Sequence, residues 1–436
     1  MRRLIPVLTI LIGLLLAASI VVRAQAASPR IDVLTVKGTI NPVLVDYIGR
    51  GIDQAEADGA SMVIVQMDTP GGLDLAMRDI IKEMVNAKVP VVVYVAPSGA
   101  RAASAGVFIT MAGHIAAMAP NTAIGAAHPV AMGEGGEAQM SEDMEEKVLN
   151  DAAAYIRSIA EAHGRNMEWA EQAVRESVSA TEKEALELNV IDIVAPDLNG
   201  LIAQLDGRQV DLLNGSVVTL NTQGATINYV DMTLREDFLY TIADPNIAFI
   251  LLSLAMLGIT VEIFNPGLIF PGVVGGISLL LAFFSLGMLP VYWAGILLIV
   301  LAFGLFIGEV LTATFGVFTV GGIVSLVIGS LILFKGASPV FQVDPWLIAI
   351  VTIIIAALFA FVVSRVIKAH RKQATTGREE LVGKTAVVKV ALDPEGTVFF
   401  KGEHWEAVSD KGRVEPGEEV TITKVEGLRL QVTKKE

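Results

Sequence analysis

The chain has 436 residues, 53% hydrophobic and 18% charged, which is longer than one ordinary domain of about 100–200 residues and too apolar for a disordered chain. Segment 29–244 holds 14 basic and 31 acidic residues, a net of −17 within an overall −14, and so would repel nucleic acid, whose binding needs phosphates neutralised by Lys and Arg. There is no cysteine, which excludes disulfides, cysteine-ligated zinc and thiol nucleophiles and leaves the compartment open.

In chain order, residues 1–26 read as a secretory signal. Arg2 and Arg3 form the positive end, Leu4 to Val22 the apolar stretch and Ala24-Gln25-Ala26 a small-x-small cleavage site. An uncleaved membrane anchor is the competing reading, and both place the following domain outside the cytoplasm.

Residues 29–235 form the next domain, in which strand-like and helix-like segments alternate from residue 31 to 195. Ile31–Val36, Met62–Met67, Val91–Ala96, Ile115–Met118 and Val190–Val194 are predicted strands. Val43–Ala57, Leu73–Asn86, Ala103–Ala112, Ser141–His163 and Thr181–Leu188 are predicted helices, so the domain is a layered α/β one. Three loops stand out. Asp68-Thr69-Pro70-Gly71-Gly72 follows a buried strand, and its paired glycines let backbone N–H groups approach an oxyanion, although Pro-Gly-Gly also serves as a plain turn. Ser104, in Gly99-Ala100-Arg101-Ala102-Ala103-Ser104-Ala105-Gly106, begins a helix, where free N–H groups favour developing negative charge; a capping serine is the bland alternative, as for Ser98. Lys147 follows a loop with Gly133, Gly135 and Gly136 and is the only Lys or Arg between Arg101 and Arg157. It is either a solvated helix lysine or a base, and a base must be held neutral.

Between Pro245 and Ser364 the only charged residues are Glu262, Glu309, Lys335 and Asp344. About 20 apolar residues cross a bilayer core, and the stretch 246–366 divides into about five helices, at 246–265, 270–289, 291–309, 314–334 and 346–366. Its many glycines suit close helix packing; Glu262 and Glu309 fall near helix ends and are read as interfacial. Residues 367–379 form a basic linker, with Arg365, Lys368, Arg371, Lys372 and Arg378 clustered at the last span. Such clusters stay cytoplasmic, and an odd number of crossings then puts the two soluble domains on opposite sides.

Residues 380–436 carry five short β-rich runs, Thr385–Val390, Thr397–Lys401, His404–Ser409, Glu419–Val425 and Leu428–Thr433, separated by glycines. Five short strands in that length predict an all-β barrel of the OB type. Its 11 acids and 9 bases do not supply the basic groove and stacking platforms of a nucleic-acid site, so a protein-interaction or gating module is expected.

The loops together resemble the membrane-bound protease family called NfeD, related to the ClpP-type and signal-peptide-peptidase-A-type serine proteases. The carriers are Asp68-Thr69-Pro70-Gly71-Gly72, Gly99 to Gly106, and Lys147 ahead of Tyr155-Ile156-Arg157-Ser158-Ile159-Ala160 and Gly164-Arg165. The resemblance spans almost the whole chain and implies a multidomain protein: a ClpP/crotonase-like spiral domain of β-β-α units, a helical transmembrane bundle and the barrel. It further implies Ser104 as nucleophile and Lys147 as base, with the N–H groups of Gly72 or Gly71 and of Ala105 as the oxyanion hole. An alternative base is His128, in a segment similar to the one carrying the histidine of ClpP-type proteases, although its acid would have to be a displaced Glu176. The implied activity is a serine endopeptidase, free of metal and cofactor, in the cell (inner) membrane, with its protease domain extracytoplasmic and its C-terminal domain cytoplasmic. It would cleave proteins with hydrophobic segments, touch membrane lipid, form a homo-oligomer and work with a stomatin/flotillin-like partner. The competing reading is a non-catalytic membrane scaffold for stomatin-like proteins; an acyl-CoA hydratase or isomerase is disfavoured by export.

Overall fold

The computed structural model describes residues 28–129, 142–213, 215–312, 316–334, 341–371 and 378–435. The expected signal segment, the loop of Gly133, Gly135 and Gly136, and residues 372–377 of the basic linker lie outside the described residues. The chain forms two compact units, one of Met1–Leu305 with Gly321–Ile353 and one of Phe306–Val320 with Ile354–Glu436.

The first unit opens with β1 (Arg30–Lys37), α1 (Pro42–Asp58), β2 (Met62–Asp68), α2 (Asp74–Asn86) and β3 (Val91–Val95). Then come β4 (Arg101–Ala102), α3 (Ala105–Ala112), β5 (Ile115–Met118), β6 (Ala123–Gly125), α4 (Glu142–Ala162), α5 (Met167–Arg175) and β7 (Ser179–Thr181). The domain closes with α6 (Glu182–Glu187), β8 (Ile193–Val194), α7 (Leu198–Leu205), β9 (Gln209–Asp211), β10 (Val217–Thr219), β11 (Thr226–Tyr229) and α8 (Leu234–Ile242). Local signals set these bounds. Asn41 caps α1 by accepting from the N–H groups of Val43 and Leu44, Pro42 occupies its first turn, and Gly59 ends it in the left-handed conformation.

A six-stranded sheet has the order β11-β1-β2-β3-β5-β8, every pairing parallel. Both faces are covered, which explains the apolar runs Met62–Val65 of β2 and Val91–Val95 of β3. Leu34, Val65, Val93 and Met118 pack on one face; Val33, Ile64, Tyr94 and Ala117 pack on the other. A second, three-stranded sheet runs β4-β6-β7. Main-sheet strand, small-sheet strand, helix is the repeating order, in β3-β4-α3 and again in β5-β6-α4. This is the β-β-α spiral expected from the resemblance.

α8 joins the domain to the apolar helices. Thr233 and Glu236 form a capping box at its start, and the Arg50 guanidinium on α1 donates to both Glu236 carboxylate oxygens at 2.8 Å. That pair holds the Glu236 carboxyl down at about 2. Tyr240 Oη donates to the Lys37 carbonyl at 2.7 Å, and Ser285 Oγ donates to the Ile242 carbonyl.

Five apolar helices follow: α9 (Pro245–Phe264), α10 (Phe270–Gly287), α11 (Trp293–Thr312), α12 (Val317–Ile332) and α13 (Pro345–Arg371). Four of them are long and apolar enough to cross a membrane; α12, at 16 residues, is not, since it rises only about 24 Å against a core of about 30 Å. Close packing through small residues is real at Gly258, where an added Cβ would lie 2.8 Å from the Gly275 backbone. Glu309 lies near the end of α11, as read from the sequence, and the structure adds its partners. It is 1% exposed, and its carboxylate accepts from the N–H groups of Gly316 (2.8 Å), Phe318 (3.0 Å) and Thr319 (3.1 Å). It satisfies the free amides at the start of α12.

In the second unit β12 (Thr385–Val390), β13 (Glu395–Phe400), β14 (Glu403–Ser409), β15 (Glu419–Glu426) and β16 (Arg429–Lys434) close into a barrel of order β12-β13-β14-β16-β15. Only the β14–β16 pairing is parallel, and alternate residues such as Ala386, Val388, Ile422, Leu430 and Val432 fill the interior.

Candidate active site

Ser104 lies between β4 and α3 with φ 52° and ψ −117°, a region that an L-residue seldom adopts. Its N–H donates to the Ala126 carbonyl at 2.6 Å and its carbonyl accepts from Val107 N–H at 3.0 Å. All eight residues of α3 are buried, so the turn is held by the core behind it. Ser104 stands at the capping position, yet its side chain makes no capping hydrogen bond, unlike Asn41, Asn166 or Asp197 in the same domain. The capping alternative therefore fails, and the hydroxyl is left for other chemistry. Ser98 is also no cap; its Oγ accepts from Asn121 Nδ2 at 3.2 Å.

The glycine loop is laced to the serine loop. Thr69 N–H donates to the Arg101 carbonyl (2.8 Å), Ala103 N–H donates to the Thr69 carbonyl (3.1 Å), and the Asp68 carboxylate accepts from Arg101 N–H (3.1 Å). Gly71 has φ +117°, and a Cβ there would meet Ser104 Cβ at 2.6 Å. Its N–H is already donated to Thr69 Oγ1 at 3.0 Å, which withdraws Gly71 from the pair of oxyanion donors weighed from sequence. Gly72 pairs in parallel with Ile40 through its neighbours, Ile40 N–H to the Gly71 carbonyl and Leu73 N–H to the Ile40 carbonyl, both 2.9 Å. In that pattern the central residue's own N–H faces away from its partner. Among the described residues the N–H groups of Gly72 and Ala105 have no hydrogen-bond partner.

Ser104, Gly72, Ala105 and Lys147 line one cavity of about 920 Å³. Its walls are partly apolar, with Val45, Leu73, Phe108, Val148 and Ala152, and partly charged, with Arg78 and four aspartates at 46, 74, 79 and 151. Lys147 reaches this cavity from the first turns of α4; it is exposed and makes no ion pair or hydrogen bond among the described residues. His128 does not line the cavity, although Ala127 and Pro129 do. Its Nδ1 lies 2.8 Å from the Val174 carbonyl, and a carbonyl only accepts, so Nδ1 carries the proton. Glu176 makes no side-chain hydrogen bond with it among the described residues, so the structure brings together no Ser–His–acid arrangement there.

Sequence reasoning did not single out Arg78, Phe108, Asp151 and Tyr155. The Asp74/Arg78 and Lys147/Asp151/Tyr155 spacings, at multiples of four, were visible, but nothing in one sequence says that α2 and α4 face each other.

Three family models match in order: the N-terminal domain of NfeD1b over residues 30–198, the NfeD integral membrane domain over 246–365, and the NfeD-like C-terminal, partner-binding domain over 378–434. The membrane-bound protease PH1510 of Pyrococcus horikoshii is 38% identical, covering 100% of this chain and 98% of its own length. The chain belongs to the NfeD family. A second NfeD relative, the membrane protein NfeD1b of Bacillus subtilis, is 28% identical over 97% of this chain and 96% of its own. Solved structures similar to this NfeD chain include the 1510-N membrane-bound stomatin-specific protease as a lysine-to-alanine mutant with a substrate peptide (36% identity, TM-score 0.46, covering 50% of this chain and 98% of that one). Another is a serine-to-alanine mutant of that protease (37% identity, TM-score 0.44, covering 48% and 100%). The C-terminal domain of the stomatin operon partner protein 1510-C of Pyrococcus horikoshii is 39% identical over 14% of this chain and 97% of its own, with TM-score 0.14.

Proposed function

We propose that this NfeD chain is a membrane-anchored serine endopeptidase in which Ser104 is the nucleophile and Lys147 the base. The observation that carries the reading is Ser104 itself: strained, uncapped, and on the wall of a cavity that Lys147 and two unpartnered amides also line. A relative over the whole chain that is named a membrane-bound protease supports it.

A bound peptide covers the cavity and strips water from Lys147, which favours the neutral amine. Lys147 Nζ then takes the Ser104 proton as Oγ attacks the scissile carbonyl carbon. The carbonyl oxygen becomes an oxyanion held by Gly72 N–H and Ala105 N–H, where losing one donor typically costs about 2.7–4 kcal/mol. Collapse breaks the C–N bond, the leaving amine receives the proton from Lys147, and water hydrolyses the remaining ester with Lys147 again as base. The apolar part of the cavity suits substrates with hydrophobic segments, and the barrel, whose family is described as partner-binding, suits a stomatin-like partner.

The test is peptide cleavage and fluorophosphonate labelling by the full-length chain in detergent. Ser104→Ala is expected to lose both and Lys147→Ala to lose cleavage, by at least about a thousandfold. Wild-type cleavage by Ser104→Ala would sink the reading. One observation favours a scaffold instead, the exposure of Lys147 in the free chain; a scaffold would leave the probe unreacted in the wild type.

A further inference from the structure

The three parts of the proposed site come from three elements: the oxyanion loop runs into α2, Ser104 begins α3, and Lys147 stands near the start of α4. One side-chain cluster joins all three. Arg78 on α2 binds Asp74 of its own helix through Nε at 2.8 Å and Asp151 of α4 through Nη2 at 2.5 Å. Its guanidinium also stacks over the Tyr155 ring, 4.4 Å from the centroid. Tyr155 in turn stacks on Phe108 of α3, centroids 6.1 Å apart. Lys147, Asp151 and Tyr155 are spaced by four residues each, which puts them on one stripe of α4. The clamp therefore grips the same face of the helix that presents the amine, four residues further on.

We infer that Arg78 is a positioning residue for the base: through Asp151 and Tyr155 it fixes the Lys147 face of α4 against the elements carrying the oxyanion loop and Ser104, and it masks Asp151, a carboxylate one turn from Lys147. This inference rests on the Ser104–Lys147 reading. Asp143 and Glu146 flank Lys147 along α4, and the other charged groups lining the cavity it enters are Asp46 from α1, Asp74, Arg78 and Asp79 from α2, and Asp151 from α4. Arg78 is the single cation among the latter, and it is engaged with two of their four acids. Without it, the Asp74 and Asp151 carboxylates stand uncompensated in the cavity that Lys147 enters, and a nearby anion stabilises the protonated amine. Less free base is then present at a given pH, and catalysis moves to higher pH. The geometric half acts separately, because a misplacement of about 1 Å can cost about a hundredfold in rate.

The experiment measures kcat and KM for a peptide across pH with the full-length chain in detergent. Arg78→Met is expected to lower kcat by about 10–100-fold with KM nearly unchanged, and to raise the pH midpoint of the rising limb by about one unit. Adding Asp151→Asn to Arg78→Met should return the midpoint toward wild type without restoring kcat. Arg78→Lys should keep the midpoint, because the charge remains, while losing rate, because the two-point contact is gone. Should Arg78→Met fail to fold, Asp151→Asn alone decides: it is expected to lower kcat without an alkaline shift, and wild-type kcat would overturn the proposal. If Arg78→Met keeps wild-type kcat and midpoint while Ser104→Ala and Lys147→Ala are inactive, the positioning role is wrong and the dyad stands. If Ser104→Ala or Lys147→Ala cleaves like wild type, the dyad itself is wrong.

Discussion

Backbone strain of the kind seen at Ser104 costs of order 1–3 kcal/mol and persists only where the surroundings hold it. Here the holders are the buried α3 and the Ala126 carbonyl, and the neighbour that makes room is Gly71. Gly71→Ala would force a Cβ to 2.6 Å from Ser104 Cβ at a φ that alanine resists. It is expected to destabilise the chain by about 1–3 kcal/mol and to cut cleavage far more than Tm, which paired melting and peptide assays would show. A second residue-scale outcome concerns pH. His163 packs edge-on to His114 at 6.0 Å, and burial, helped by the Arg165 cation, pushes it down to about 4. The folded chain holds this imidazole neutral while the unfolded chain takes up a proton near about 6.5. Stability should therefore fall as pH drops from about 6.5 to about 4 and flatten below that. Denaturant unfolding of His163→Gln across that window should show a smaller slope than wild type; an identical slope would contradict the assignment.

Elements differ in how plainly the sequence announces them. The helices α1, α2 and α4 carry apolar periodicity with glycine or proline close beyond their ends, α1 is capped as well by Asn41 and Gly59, and their predicted bounds fall within one or two residues of those observed. β4, β6 and β7 span two or three residues each, too short for any period to be read, and they exist because a long-range partner strand lies beside them. α5 was passed over for a related reason: nine residues give little pattern, and packing against α4 stabilises it. In the apolar block Glu309 is the informative case. Glu309→Ala would leave the amides of Gly316, Phe318 and Thr319 unsatisfied at the start of α12, a loss of about 1–3 kcal/mol. Thermal unfolding in detergent should drop accordingly, and Glu309→Gln, which keeps one acceptor, should lie between.

At the scale of the whole molecule, sidedness turns on α12. Five crossings place the α/β domain and the barrel on opposite faces of the membrane, and four place them on the same face. Because the chain has no cysteine, single introduced thiols report directly. The basic cluster from Arg365 onward argues for five, with residues flanking the short α12 completing its span, so in intact cells an impermeant maleimide is expected to label Asp211→Cys without permeabilisation and Lys411→Cys only after it. Labelling of both from one side would mean that α12 does not cross.

Composition, hydrophobic run lengths and glycine spacing suffice for the domain order, the five apolar helices, the OB-type barrel and the loops that carry Ser104 and Gly72, because each depends on residues near one another in sequence. Tertiary structure alone shows that Gly71 N–H is spent on Thr69, that His128 is turned to Val174, that Glu309 is a cap, and that Arg78 ties α2, α3 and α4 together. Those are contacts between residues remote in the chain, or choices between equivalent local groups, and their geometry exists only once the helices and sheets have packed.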